Sequence, residues 1–310
     1  MPVSYRIRLI APSGYCQNQS AAARGVAALH AAGHRVENSE VIRRRYQRFA
    51  GSESERLADI NDIATVTPLP DIVLAVRGGY GASRLLGDIR CADIATRLKG
   101  QPVALCGHSD FTALQLTLLA QTGLVTFSAP MLAGNFGAEP ISHFTTDHFF
   151  GLLGQKSYTI HWSENTQQSF HGAGTLWGGN LAMLTSLVGT PWMPDIRDGI
   201  LVIEDVNEHP FRVERMLLQL YYAGILQKQQ AVITGSFSGA TVSDYDQGYD
   251  FTTVWQYLSE LSGVPFIDGL PFGHEQQTVT LPIGAHAALD CEQGTATLTL
   301  SGYPVPQGQE

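Results

Sequence analysis

The chain has 310 residues, 44% of them hydrophobic, with a mean hydropathy of −0.01 and a formal charge of −9. That length can bury a sizeable core, and two domains are expected. The acidic balance, with no Lys/Arg run beyond Arg43, Arg44 and Arg45, argues against nucleic acid and anionic membrane surfaces, which demand a concentrated basic face.

No stretch approaches the roughly 20 apolar residues of a membrane span. The opening segment MPVSYRIRLIAPSG has too short an apolar run for a signal-peptide core. A cytoplasmic protein acting on a small molecule is expected. Cys16, Cys91, Cys106 and Cys291 form no CxxC pair, so they are expected to be buried free thiols in a reducing compartment.

In chain order, the first half predicts a strand at RIRLIAP, a helix near 19–33, a polar helix near 53–65, a strand at DIVLAVRGG, a helix near 82–97, a strand at PVALCGHS and a helix over 110–122. This is the βα alternation of a parallel sheet. The loops APSG, RGGYG and GHSD then fall at carboxyl ends of strands, on the rim where open α/β sheets assemble sites. Residues 137–172 lose periodicity and read as a crossing between domains.

Beyond it come GTLWGGNLAMLTSLVGT, a strand GILVIEDV, a helix FRVERMLLQLYYAGIL, a strand AVITGSF, a helix near 252–262, and apolar runs VPFIDGL, TVTLPIGAHAAL and TATLTLSG, the last of them alternating as antiparallel strands do. The reading is an α/β domain over 1–155 followed by a smaller α+β domain over 156–310.

PVALCGHSDFTALQL puts Ser109 where a buried strand turns into a helix. Such a turn lifts a serine oxygen clear of the backbone and sets the helix N-terminus beside it, with the Asp110 amide as an oxyanion donor. The competing reading is that Ser109 and Asp110 cap the helix, and the segment alone favours it. Phe111 stands where the last glycine of G-x-S-x-G would be, so an ordinary α/β-hydrolase assignment has no support.

In RGGYG, Gly78, Gly79 and Gly81 permit a tight turn with amides facing a ligand. Neither G-x-G-x-x-G spacing nor a Walker lysine accompanies them, which argues against a nucleotide loop. Arg77 either holds a substrate carboxylate or pairs with a nearby acid, the commoner role.

Glu204 and Asp205 end the strand ILVIEDV, and His274 stands in the loop PFGHEQQ. A serine needs an imidazole to take its proton, and the imidazole needs a carboxylate to fix its tautomer. Ser109, His274 and Glu204 supply one of each.

With LIAPSG, FAGSESERLADIN, LAVRGGYGASRLL, GHSDFTAL, GTLWGGNLAML, LVIEDVNEHPFRVERMLLQL, GSFSG and GHEQQTVTLPIGAHA in this order, the sequence resembles the S66 family of serine peptidases over nearly its whole length. The resemblance implies Ser109 as nucleophile, Glu204 as carboxylate and His274 as base, with the amides of Asp110 and of Gly78 or Gly79 as oxyanion donors. It implies a flavodoxin-like or amidotransferase-like N-terminal domain, a C-terminal domain with a small β-structure, and a homodimer. It also implies release of the terminal D-alanine from murein tetrapeptides during cell-wall recycling, without metal or organic cofactor.

Tyr80, Asn180 and Arg212 are candidate substrate contacts, although Asn180 equally suits a helix cap and Arg212 an ion pair. Three rival readings remain: an immunity peptidase of the same family that cleaves microcin C-like aminoacyl nucleotides, a non-catalytic two-domain binding protein, and a metal hydrolase using His108, Asp110, Glu204 and His274. Neither histidine of that set stands in an HxxE or HxH spacing.

Overall fold

The computed structural model describes residues 3–165 and 169–308. Two sheets organise it. The first joins β1 (Arg6–Ile10), β2 (Arg35–Glu37), β3 (Ile72–Ala75), β4 (Ala104–Gly107) and β5 (Thr126–Ser128) in the spatial order β2-β1-β3-β4-β5, all parallel. That order is the doubly wound, flavodoxin-like one. Its central strands are continuous apolar runs because both faces are covered: β3 and β4 are buried at every residue. The covering helices include α1 (Gln19–Ala31), α2 (Glu53–Asn61), α3 (Cys91–Leu98) and α4 (Thr112–Thr122).

The predicted helix near 82–97 is broken into short turns at Ala82–Arg84 and Leu86–Asp88 before α3 begins. The cause is long-range: the Asp110 carboxylate accepts the Ala82 N–H at 2.8 Å, tying the chain down just after the glycine loop. The stretch 137–172 is also more regular than expected. It holds α5 (His143–Leu153), capped by the Ser142 hydroxyl, then β6 (Ser157–Ser163) and the start of β7 (Phe170–Asn180).

The second sheet is mixed. After α6 (Leu181–Ser186) come β8 (Ile200–Val206), α7 (Pro210–Tyr222), β9 (Ala231–Ser238), α8 (Phe251–Ser262) and β10 (Phe266–Ile267), and β10-β9-β8-β7 run parallel. β12 (His286–Glu292) and β13 (Thr295–Ser301) then continue the sheet antiparallel from β7, with β6 at its edge. Both alternate buried and outward residues, as their period-2 pattern predicts.

The run TVTLPIGAHAAL is not one strand. Its first part, β11 (Leu281–Ile283), returns to the first sheet and pairs antiparallel with β5. Gly284, at φ +98, makes the turn that releases β12 to the second sheet. The two halves are further joined where the Asn180 N–H donates to Thr112 Oγ1 at 3.1 Å, at the first residue of α4. A Cβ on the neighbouring Gly179 would lie 2.8 Å from that oxygen, so this approach requires a glycine.

Candidate active site

The flavodoxin-like order places a topological switch between β1 and β3, with a crevice outside their carboxyl ends. The loops after β1, β3 and β4 meet there and are stitched together. The Gly14 N–H donates to the Gly78 carbonyl at 3.1 Å. The Asp110 carboxylate accepts from Ser13 Oγ at 2.7 Å as well as from Ala82 N, and the fully buried Arg56 donates to the carbonyls of Pro12 and Gly81, each at 2.8 Å. Burial pushes the Asp110 carboxyl above its usual range, against these hydrogen bonds. Asp110 is therefore committed to holding loops rather than to capping α4.

Ser109 does not cap α4 either. Its φ is +62, in the left-handed region that a β-carbon disfavours, and its Oγ lies 3.0 Å from His274 Nε2. Gly78 lets this happen: a Cβ there would come within 2.9 Å of Ser109 Cβ and 3.1 Å of its Oγ, and 3.5 Å from the Asp110 nitrogen. The glycine-loop backbone and the amide after the serine thus flank one small space beside the hydroxyl.

The histidine and the carboxylate come from the second half of the chain. Glu204 lies in β8, two residues before its end, where the register with β9 shifts between Ile203 and Asp205, and such a bulge re-aims a side chain. Its Oε2 is 2.7 Å from His274 Nδ1, and its carboxylate is 1% exposed. His274 follows Gly273, whose φ is +140 and whose absent Cβ would sit 3.1 Å from Glu204 Oε2. Ser236, in the GSFSG segment, anchors this loop by donating its N–H and Oγ to the Phe272 carbonyl at 2.8 and 3.2 Å.

A carboxylate only accepts, so Nδ1 of His274 carries the proton and Nε2 is left with a lone pair toward the Ser109 hydroxyl. Burial opposes charge on this imidazole. The hydrogen bond and charge of Glu204, aided by Asp205 and Glu275, outweigh it and raise the His274 pKa above its ordinary value. His108, edge-on to His274 at 5.5 Å, donates Nδ1–H to the Ala129 carbonyl; burial and the neighbouring His274 lower its pKa.

Asn180 is buried behind the site. Its Nδ2 donates to Glu204 Oε1 at 3.3 Å and Asp205 Oδ1 at 3.0 Å, while its Oδ1 caps α6 by accepting from Met183 N. The sequence-based expectation of a substrate contact therefore gives way to a role in holding both carboxylates. Asp205 likewise accepts the Ala182 and Val206 amides, each at 2.9 Å.

Arg212 is also not at the site. It pairs with Glu208 at 2.6 Å, one helical turn back, on an exposed face. Tyr80 stands beside the site, 44% exposed, against a separate small cleft.

The triad opens on a cavity of about 740 Å³ bordered by Gln17, Arg77, Gly79, Asn135, Glu139 and Gln276 among others. Gln17 and Asn135 carry no motif and were invisible in the sequence, and Gln276, two residues after His274 in the block GHEQQTVTLPIGAHA, was not singled out. Arg77 was visible, but among the described residues it pairs with no acid: its Nη1 donates to the Tyr15 carbonyl at 2.9 Å, while Nε and Nη2 have no hydrogen bond there. A larger groove of about 880 Å³, lined by Lys99, Leu124, Lys156 and Tyr303, contains no triad residue. Chemistry, not size, selects the former.

Among the described residues, no group of three or more His, Cys, Asp or Glu is arranged to hold a metal. The set His108, Asp110, Glu204 and His274 is dispersed into the separate hydrogen bonds above. Cys16, Cys106 and Cys291 are buried, and burial raises their thiol pKa values; Cys91 departs from the expectation by being only half-buried, at the start of α3. No helix among the described residues is long and apolar enough to cross a membrane.

A strained serine on a strand-to-helix turn, an imidazole and a buried carboxylate across two α/β sheets are the parts of a serine hydrolase. Residues 7–129 match the LD-carboxypeptidase N-terminal domain of peptidase family S66, and residues 173–289 match its C-terminal domain. The chain belongs to the S66 family, and it is a carboxypeptidase rather than a non-catalytic binding protein.

The crystal structure of a muramoyltetrapeptide carboxypeptidase from Oxalobacter formigenes is 42% identical and superposes with a TM-score of 0.90 over 96% of this chain and 99% of that one. A probable murein peptide carboxypeptidase of Bacillus subtilis is 30% identical over 86% of this chain and 83% of its own length. The microcin C7 self-immunity protein of Escherichia coli is 28% identical over 89% of this chain and 87% of its own.

Proposed function

We propose that this enzyme is an LD-carboxypeptidase that releases the terminal D-alanine from murein tetrapeptides by a Ser-His-Glu acyl-enzyme mechanism. The observation that carries the proposal is a pair of hydrogen bonds beside the cavity: Ser109 Oγ donates to His274 Nε2 at 3.0 Å, and His274 Nδ1 donates to Glu204 Oε2 at 2.7 Å. His274 Nε2 takes the hydroxyl proton as Ser109 Oγ bonds to the carbonyl carbon of the diamino acid residue. The oxyanion is held by the amides of Asp110 and of Gly78 or Gly79. As the C–N bond breaks, the same imidazole returns the proton to the leaving amine. Water, deprotonated by His274, then cleaves the ester and regenerates the serine. The reading carries with it a cytoplasmic homodimer acting in cell-wall recycling.

The test is release of D-alanine from purified tetrapeptide, compared with cleavage of an aminoacyl sulfamoyl adenylate. Preference for the tetrapeptide is expected, and cleavage of the adenylate alone would move the enzyme to the immunity peptidases. Activity is expected to survive EDTA; full loss restored by zinc would sink the mechanism.

The pH profile follows from the raised His274 pKa. The base must be neutral, so kcat/KM should climb with pH through a midpoint above the ordinary histidine value of about 6.5. A midpoint below that value would contradict the Glu204–His274 coupling.

A further inference from the structure

A smaller cleft of about 210 Å³ adjoins the triad cavity and shares Gln17, Arg77 and Gly79 with it. Arg45, Arg48 and Arg77 line it together with Tyr15 and Tyr80, and no aspartate or glutamate borders it. Among the described residues none of these three arginines pairs with an acid. Arg77 and Arg45 donate to the carbonyls of Tyr15 and Gln47, and the guanidinium groups of Arg45 and Arg48 lie over the Tyr15 and Tyr80 rings at 4.6 and 5.9 Å.

In a chain of net charge −9, three cations without counter-charges around one acid-free cleft form a site for an anion. Charge is divided between the two spaces as well. The acids Glu139 and Glu275 border the triad cavity and are absent from the arginine cleft.

Position indicates which anion. A Cβ on Gly79 would lie 3.0 Å from Arg77 Nη2, and one on Gly78 would lie 3.1 Å from Ser109 Oγ. The arginine fork and the serine oxygen therefore flank the same two-glycine backbone. In a peptide cleaved at its last bond, only the amide nitrogen and one carbon separate the reacting carbonyl from the terminal carboxylate.

We propose that Arg77 binds the free carboxylate of the residue to be released, with Arg45 and Arg48 supplying the positive field that draws it in. This cleft is then what makes the enzyme an exopeptidase. The inference rests on the function proposed above and adds a specificity-determining residue to it.

The experiment compares a tetrapeptide acid with the same peptide amidated at its C-terminus. The wild type is expected to favour the acid. Arg77→Ala is expected to lower kcat/KM on the acid about a hundredfold and on the amide far less, and so to abolish the preference. Arg77→Lys should fall between, since it keeps the charge and loses the fork. Arg45→Ala/Arg48→Ala should lower kcat/KM on the acid about tenfold and weaken its dependence on salt. Arg35→Ala, which removes one positive charge at the amino end of β2 as Arg77→Ala does beside the site, should leave turnover of both substrates as in the wild type.

A wild type indifferent to amidation overturns the inference and leaves the proposed function standing. So does an Arg77→Ala variant that loses both substrates equally, which would mark Arg77 as a prop for the Tyr15 loop. A wild type that cleaves neither peptide removes the proposed function itself, and the inference with it.

Discussion

Replacing Ser109 with alanine is expected to lower kcat/KM on the tetrapeptide by roughly 10³- to 10⁶-fold, since the members of such a triad act as a unit. Only one oxygen is lost, so circular dichroism and the unfolding midpoint should remain close to the wild type. Residual turnover above a few per cent would place the nucleophile elsewhere. The backbone offers a second readout that does not depend on activity. Ser109 holds φ +62, which strains a residue with a β-carbon by about 1–2 kcal/mol.

Ser109→Ala keeps that strain and Ser109→Gly removes it, while both lack the oxygen. Glycine gives back about 0.4–1 kcal/mol through the greater freedom of the unfolded chain. The glycine variant should therefore be the more stable inactive protein, by up to about 1 kcal/mol in urea titrations. An alanine variant more stable than it would show that the turn is not strained in solution.

The outline of this site was legible because its chemistry sits at punctuation. Short apolar runs ending in Gly, Ser or Pro mark carboxyl ends of strands, and there Ser109, Glu204 and His274 differ from their surroundings. What one segment could not decide was whether Ser109 caps a helix. Capping and the elbow use the same residue at the same position, and only a partner 165 residues away separates them.

Side-chain direction was similarly hidden. Asn180 was a candidate for both a ligand contact and a helix cap, and a register that sets Asn180 opposite Glu204 turns its amide toward the carboxylates. β11 was concealed for a different reason. Three buried residues continuous with β12 read as a single run, and a single glycine at positive φ divides them between sheets. The helix expected near 82–97 failed because Asp110, distant in sequence, captures its first amide.

Glu204→Gln is expected to reduce kcat/KM by about 10²- to 10⁴-fold, through the tautomer of His274 more than through charge alone. The wild-type carboxylate accepts twice, from His274 Nδ1 through Oε2 and from Asn180 Nδ2 through Oε1. A glutamine has one accepting oxygen and one donating nitrogen in the same volume. If its oxygen faces His274, its NH₂ opposes the NH₂ of Asn180 at a site 1% exposed, where two unpaired donors cost about 1–3 kcal/mol each.

Turning the amide relieves that clash but presents N–H to Nδ1. The ring must then carry its proton on Nε2, facing Ser109 Oγ, and a protonated Nε2 cannot accept the serine proton. Either orientation harms the enzyme, and the second disables the base directly.

Two measurements separate this account from simple loss of charge. The midpoint of the rising limb of the pH profile should fall relative to the wild type, because Glu204 is the main influence opposing the burial of His274. Adding Asn180→Asp, whose carboxylate can accept from the glutamine NH₂, turns the glutamine oxygen toward His274 Nδ1–H and should recover part of the turnover, which simple loss of charge would not allow. A Glu204→Gln variant with near-normal kcat/KM and an unmoved midpoint would mean that the buried carboxylate does not orient the base.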